Sequence, residues 1–182
     1  MNKKMKVLLI GSNIWYFGEG MLGPLFAVFA SKLGGSILDI TWAWATYLMV
    51  SGVLVIMFGT LADKVSKEKI LVAGYALNAI FTFCYLLVQT PFQLFIVQAC
   101  LGLAAAMAIP TWTALYDISH ENNKNESFVW GLASGQAQII TGIAIIFGGL
   151  IVNNFSFQAL FITMGAIQTV AAVYQANILK LI

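Results

Sequence analysis

The chain alternates between long apolar runs and short polar breaks. Six runs approach the roughly 20 apolar residues that a helix needs to cross a bilayer core. They cover residues 7–30, 42–61, 70–88, 92–116, 128–152 and 156–178. The breaks between them hold charged side chains or turn residues, such as Gly34 and Gly35 after the first run and Pro91 before the fourth. This pattern predicts an all-α membrane protein, a bundle of six transmembrane helices.

The composition excludes the soluble classes of protein. Of the 182 residues, 60% are apolar and 9% are charged, whereas a soluble domain carries about 25% charged residues. All nine basic residues are lysines, so the chain lacks the bidentate arginine contacts that grip phosphates and read bases. We therefore expect a lipid bilayer as the surroundings and no nucleic-acid partner.

The lysines predict the orientation, because cytoplasmic loops of membrane proteins are enriched in Lys and Arg. With the N-terminus inside, the lysines on the cytoplasmic side are Lys3, Lys4, Lys6, Lys64, Lys67, Lys69, Lys124 and Lys180, and only Lys32 lies outside. Six crossings then place both termini in the cytoplasm. The first run is too long for a secretory signal and contains Glu19 and Pro24, so we expect a retained helix in the cytoplasmic (inner) membrane.

Glu19, in the middle of the first run, is the main candidate for function. An ionisable group at this depth costs about 3 kcal/mol to insert, so it is expected to face the bundle interior or a wet cavity. Helical spacing puts Trp15 and Tyr16 on the same face. We interpret Glu19 as a proton-coupling or cation-binding carboxylate of a substrate cavity. The alternative is a neutral acid that hydrogen-bonds a neighbouring helix.

Small and polar residues form stripes on two of the runs. The fifth run carries Gly131, Gly135, Gln138, Gly142 and Gly149, and the fourth carries Gly102, Ala106 and Pro110. Small residues allow helices in lipid to approach closely, so both stripes predict bundle interfaces. Gln138 is also a candidate for the cavity.

The break after the second run contains a longer motif. It reads Gly59-Thr60-Leu61-Ala62-Asp63-Lys64-Val65-Ser66-Lys67-Glu68-Lys69. It resembles the signature Gly-x-Leu-(Ala/Ser)-Asp-(Arg/Lys)-x-Gly-(Arg/Lys)-(Arg/Lys) of the major facilitator superfamily of secondary transporters, from which Ser66 and Glu68 depart. The resemblance implies that Asp63 contacts the end of a neighbouring helix and holds the outward-facing state. Lys64 and Lys67 would join the same cytoplasmic gate, which begins at Gly59.

The fourth run extends the resemblance. Asp117 matches the acid at the end of the family's fourth helix, and the family's arginine position holds Gln98. The resemblance thus assigns Asp117 to the gate and Gln98 to the coupling or substrate cavity. It also places the third and sixth helices at the lipid-facing periphery. Asn78, Gln168 and Gln175 are therefore interpreted as interhelical hydrogen bonders, not substrate ligands.

The resemblance covers the whole chain but only one half of a family member, since full members have two six-helix halves with the substrate between them. We predict that residues 1–182 form a single domain like the N-terminal half, with a three-plus-three inverted repeat. The implied function is secondary-active transport of a small molecule or ion by alternating access, as a homodimer or with a partner half. A non-transporting membrane subunit or a relic half-transporter is the alternative.

An intramembrane hydrolase is a further class, and the residues argue against it. Ser134 and Gly135 come nearest to a nucleophile motif, but such an enzyme needs a histidine base within the membrane. The single histidine, His120, lies in a polar break. The runs also lack His-Glu-x-x-His and paired aspartates, which would bind a catalytic metal. We therefore expect no enzyme activity, no cofactor and no metal site.

Overall fold

The structure is a computed structural model that describes residues 2–120 and 126–181, and these residues are almost entirely helical. The α-helices are α1 (Lys3–Gly20), α2 (Leu25–Lys32), α3 (Ile37–Ala62), α4 (Lys67–Cys84), α5 (Pro91–His120), α6 (Glu126–Asn154) and α7 (Phe157–Gln175). Short 3-10 helices extend α4 over Tyr85–Leu87 and α7 over Ala176–Leu181. No strand occurs within the described ranges, which confirms the all-α class.

In the part of the chain that the structure describes, five helices are long and apolar enough to cross a membrane, namely α3, α4 with its extension, α5, α6, and α7 with its extension. The predicted orientation of the termini remains a prediction, and Lys124, one of the lysines that support it, lies outside the described residues.

The first apolar run differs from the single helix predicted over residues 7–30. It forms α1 and α2, separated by a turn over residues 21–24. Pro24 has no main-chain N–H and therefore cannot continue the helical hydrogen-bond ladder. The main-chain carbonyl of Glu19 instead accepts the N–H of Leu22 at 3.4 Å. Glu19 thus lies at a break between two helices.

Helix α3, which contains the second apolar run, begins earlier than the sequence pattern indicates. The sequence pattern predicts the second run over residues 42–61, but α3 begins at Ile37 and Ser36 caps it. The Ser36 side chain accepts the main-chain N–H of Asp39 at 3.2 Å, and the Asp39 carboxylate accepts that of Ser36 at 2.8 Å. This reciprocal capping box satisfies main-chain donors at the helix start.

The helices pack in the order α3, α5, α4, α7, α1, α6, with each one making extensive contact with the next. Helices α3 and α6 lie at the two ends of this order. Only 11% of the most apolar segment of each is buried, compared with 39–50% for α4, α5 and α7. The bundle therefore leaves one face of α3 and most of α6 without a partner among the described residues.

Two apolar clusters form the core. One surrounds Phe29, Tyr85 and Phe161, and the other surrounds Leu8 and Tyr116. Glu19, Asn78 and Gln168 lie between the two clusters along their helices. A polar layer therefore divides the bundle near its middle.

The two small-residue stripes have different surroundings. A Cβ at Gly102 would lie 2.8 Å from the main-chain oxygen of Tyr47, so this glycine allows α5 to approach α3 closely, as predicted. Gly131, Gly135, Gly142 and Gly149 instead face open space. The predicted interface along α6 is therefore not formed by these glycines within the described chain. Gly148, outside the stripe, is the glycine of α6 that packs against the turn after α1.

Adjacent glycines on α6 test this packing. A Cβ at Gly148 would collide with the main-chain carbonyl of Met21, so we expect Gly148→Ala to lower the free energy of unfolding by about 1–3 kcal/mol, the usual cost of overpacking. Gly149→Ala should leave it unchanged or raise it, because the position is open and alanine favours helix. Thermal unfolding in detergent measures both variants. Equal unfolding temperatures would contradict the packing of α6 against the turn.

Candidate functional site

A cavity of about 400 Å³ lies among α1, α3, α4, α5 and α6. Its aromatic lining residues are Trp15, Tyr16, Tyr47, Tyr75, Trp112 and Trp130. Among the described residues that line it, Glu19 is the only one with a charged side chain. The volume suits a drug-sized organic molecule, and the lining combines aromatic surface with one carboxyl group.

Helix α1 contributes one continuous stripe to the cavity. Ser12, Trp15, Tyr16 and Glu19 follow each other at spacings of three, one and three residues, which places them on one helical face. The face predicted for Glu19, Trp15 and Tyr16 is therefore the face that lines the cavity. Tyr16 is 40% exposed, as expected for a cavity that is open on one side.

The Glu19 carboxyl group is also held by the bundle. Asn78 on α4 donates from Nδ2 to Oε1 of Glu19 at 2.8 Å. Gln168 on α7 donates from Nε2 to the same oxygen at 3.3 Å and to the main-chain oxygen of Trp15 at 3.1 Å. Asn78 and Gln168 are thus interhelical hydrogen bonders, as predicted. Glu19 thus lines a cavity and also bonds neighbouring helices.

Aromatic contacts hold the walls of the cavity in place. The rings of Trp15 and Tyr75 lie 4.4 Å apart, and Trp112 stacks on Tyr116 at 4.7 Å. The indole N–H of Trp112 donates to the main-chain oxygen of Leu8 at 3.2 Å, which connects α5 to α1. These contacts fix the positions of the rings before any ligand binds.

The three other glutamines singled out from the sequence lie elsewhere. Gln98 is buried on α5, where its Oε1 accepts the hydroxyl of Tyr85 at 3.5 Å, and it does not line the cavity. Gln138 is exposed on α6 and is also absent from the lining. Gln175 is fully buried, but its amide atoms find no hydrogen-bond partner in the described residues. It therefore differs from the interhelical role predicted for it.

Sequence reasoning missed several lining residues. Tyr47, Tyr75 and Trp130 come from three different helices, and each is one aromatic residue among many in an apolar chain. Each is an aromatic residue with an O–H or N–H group within a membrane helix. Such a residue favours a position where this group contacts a polar partner or a wet cavity. This signal is too general to select them without the packing.

The motif after α3 lies at the surface. Asp63 caps the end of α3 with its side chain 78% exposed, and Lys67 lies 3.5 Å from its carboxylate. Gly59 faces open space, and Lys64 is exposed. Asp117 is exposed near the end of α5. The side chains of Asp63, Lys64 and Asp117 therefore lie at the surface, and Asp63 pairs with Lys67.

Glu68, one of the departures from the family signature, forms a contact of its own. Its Oε1 lies 2.7 Å from Nζ of Lys4, and its Oε2 accepts the hydroxyl of Ser66 at 3.0 Å. Asn2 donates to the main-chain oxygen of Ser119 at 2.7 Å. The first residues of the chain are thus bound to both α4 and α5.

Comparison with known proteins connects this architecture to a family. A profile of the Major Facilitator Superfamily matches residues 8–180. The chain is 24% identical over 185 residues to the multidrug resistance protein MdtG of Escherichia coli O17:K52:H18, covering 98% of this chain and 45% of that protein. It is 23% identical over 177 residues to MdtG of E. coli K12, with coverages of 95% and 43%. The chain therefore spans less than half the length of these curated relatives.

Cysteine labelling tests whether the cavity is open to water. In a protein with Cys84 and Cys100 replaced by alanine, we expect Ser134→Cys to react with a charged maleimide, because Ser134 is exposed and lines the cavity. Ala144→Cys on the same helix should react about tenfold more slowly, because thiol reactivity requires access and Ala144 is fully buried. Mass spectrometry of the purified protein gives both rates. Equal rates would contradict the position of the cavity.

Proposed function

The chain belongs to the Major Facilitator Superfamily, and we propose that it forms one half of a secondary transporter whose cavity binds an organic cation at Glu19. The observation that carries this proposal is the carboxyl group of Glu19 in an aromatic-lined cavity, the one charged side chain among the described lining residues. Carboxylates and aromatic ring faces both attract cations, and the attraction is greater where water is excluded. The described residues of the lining include no lysine that would favour an anion.

The open side of the cavity supports the half-transporter part of the proposal. Tyr16 and Ile109 line the cavity and are 40% and 51% exposed. Helices α3 and α6 each contribute to the lining and are otherwise largely uncovered. A second half that packs against these helices would close the cavity, and the open glycines of α6 would allow its helices to approach closely.

The second half comes from another copy of the chain or from a distinct six-helix half. In transporters of this family the two halves are related by an axis along the membrane normal, and rocking of one against the other exposes the central site to each side in turn. Two copies related by such an axis would bring α3 of each against α6 of the other, since a two-fold interface is reciprocal. The size of the relatives, more than twice that of this chain, supports the need for a second half.

The relatives support a substrate that is recognised by general properties. Both are named multidrug resistance proteins. An aromatic-lined cavity with one carboxyl group recognises charge and apolar surface more than a particular pattern of hydrogen bonds. This is the recognition expected for chemically diverse lipophilic cations.

Replacing Glu19 tests the binding site. We expect Glu19→Gln to insert normally and to weaken binding of tetraphenylphosphonium to membranes containing the protein by about tenfold or more, the effect of losing one charge contact in a water-poor site. Glu68→Gln is the matched control, because Glu68 lies outside the cavity. Radioligand binding at pH 8 measures the affinity of the wild type, of Glu19→Gln and of Glu68→Gln. Wild-type affinity in Glu19→Gln would refute the proposal and favour a non-transporting subunit.

Replacing Asp63 tests the proposed gate. Its exposed carboxylate is available to a helix end of the second half, so Asp63→Asn should slow substrate uptake into proteoliposomes by about fivefold, equivalent to about 1 kcal/mol of an exposed charge contact. Affinity for tetraphenylphosphonium should remain that of the wild type. Asp39→Asn, at the other end of α3, serves as the control. Uptake at the wild-type rate in Asp63→Asn would remove the gate from the mechanism.

A further inference from the structure

Two amide side chains bond the same oxygen of Glu19. Nδ2 of Asn78 and Nε2 of Gln168 both donate to Oε1, at 2.8 and 3.3 Å. The orientation of the Gln168 amide is fixed independently, because the same nitrogen donates to the main-chain oxygen of Trp15 at 3.1 Å, and a carbonyl oxygen only accepts hydrogen bonds. At least one N–H therefore points at Oε1 whichever way Asn78 is oriented.

The two oxygens of this carboxyl group are consequently not equivalent. A proton on Oε1 would face the N–H groups of Asn78 and Gln168 and would break both hydrogen bonds. No described residue donates to Oε2 within hydrogen-bond distance, and Glu19 lines the cavity. Oε2 is therefore the oxygen that is free to take up a proton or to contact a cation.

We propose that Asn78 and Gln168 are positioning residues that hold Oε1 of Glu19 against the bundle, so that proton and organic cation compete for Oε2 on the cavity side. The inference rests on the proposed function of the cavity. It assigns a role in the site to α4 and α7, which the family resemblance places at the lipid-facing periphery. Donors on Oε1 stabilise the carboxylate more than the acid, because hydrogen bonds to charged groups are the stronger ones.

The other ionisable groups around Glu19 are tyrosines. Tyr16 on α1, Tyr47 on α3 and Tyr75 on α4 line the same cavity, and Tyr85, in the extension of α4, lies close enough to interact with the charge of Glu19. The lining residues of α5 and α6 in the described chain carry no ionisable group other than hydroxyls of Ser and Thr, and α7 presents the amide of Gln168. Tyrosine is uncharged between pH 5 and 9. Among these groups, Glu19 is therefore the one carboxyl group at which a proton and a cation can compete.

Helix α7 offers a matched control for Gln168. Gln168 packs on Gly18, and Gln175, seven residues later, packs on Gly11 in the same way. Both glutamines therefore occupy space on α1 that a glycine leaves open. Both side chains are fully buried. Only Gln168 contacts Glu19. Variants at Gln175 and Gly11 therefore reproduce the packing change without changing the carboxyl group.

The experiment measures how tetraphenylphosphonium binding depends on pH in membranes containing the full chain. In the wild type, binding should fall as the pH is lowered, because protons compete for Oε2. Asn78→Leu and Gln168→Met each remove one hydrogen-bond donor to the carboxylate, which makes the carboxyl group easier to protonate. The pH of half-maximal binding should therefore rise by about one unit. Gln175→Met should leave this midpoint at its wild-type value.

A second pair of variants and a measurement without ligand distinguish a change at Glu19 from misfolding of the protein. A Cβ at Gly18 would lie 2.6 Å from Nε2 of Gln168, so Gly18→Ala should raise the midpoint, whereas Gly11→Ala should not. The infrared carbonyl band of protonated Glu19, identified by its loss in Glu19→Gln, reports the same midpoint without any ligand. Wild-type midpoints in both Asn78→Leu and Gln168→Met would overturn the positioning role while leaving the cavity proposal intact. Failure of the wild type to bind the cation at any pH would overturn both.

Discussion

A carboxylic acid within an apolar helix needs hydrogen-bond donors from its neighbours, because inserting it alone into a bilayer costs about 3 kcal/mol. Glu19 obtains these donors from Asn78 on α4 and Gln168 on α7. The three helices that meet there are also those that carry the polar layer between the two apolar clusters. The requirements of one side chain thus fix which faces of α1, α4 and α7 are turned towards each other.

The break after Glu19 fixes the position of α6. Gly20 precedes the turn and Gly23 lies within it, and added Cβ atoms there would lie 3.0–3.2 Å from atoms of Thr141, Ala144 and Ile145. The missing side chains on α1 therefore let α6 pack directly against the interrupted main chain. One face of α6 is used in this way and a second lines the cavity. The remaining glycines of α6 face open space, which is the arrangement expected of a helix that borders a second half.

Much of the fold could be predicted from the sequence, because apolar runs of membrane length and capping residues are local signals. The face of α1 that carries Trp15, Tyr16 and Glu19 followed from helical spacing alone. The donors to Glu19 did not, because Asn78 and Gln168 lie 59 and 149 residues away, and only the packing of α4 and α7 beside α1 brings them together. The glycine stripe on α6 predicted a bundle interface, but its glycines face open space within the described chain, because a sequence does not identify the partner of a helix face. Gln98 was placed by resemblance, and its position on α5 faces Tyr85 instead of the cavity.

The most direct measurement is chemical modification of Glu19 by a hydrophobic carbodiimide, which reacts with protonated carboxyl groups in membranes. The protein in its membrane is treated at pH 6 with and without tetraphenylphosphonium, and the peptide that contains Glu19 is identified by mass spectrometry. We expect Glu19 to be modified and the cation to prevent the modification, because both reagents require the same free oxygen in the cavity. An unreactive Glu19, or modification that the cation does not affect, would contradict a carboxyl group that faces a cation-binding cavity.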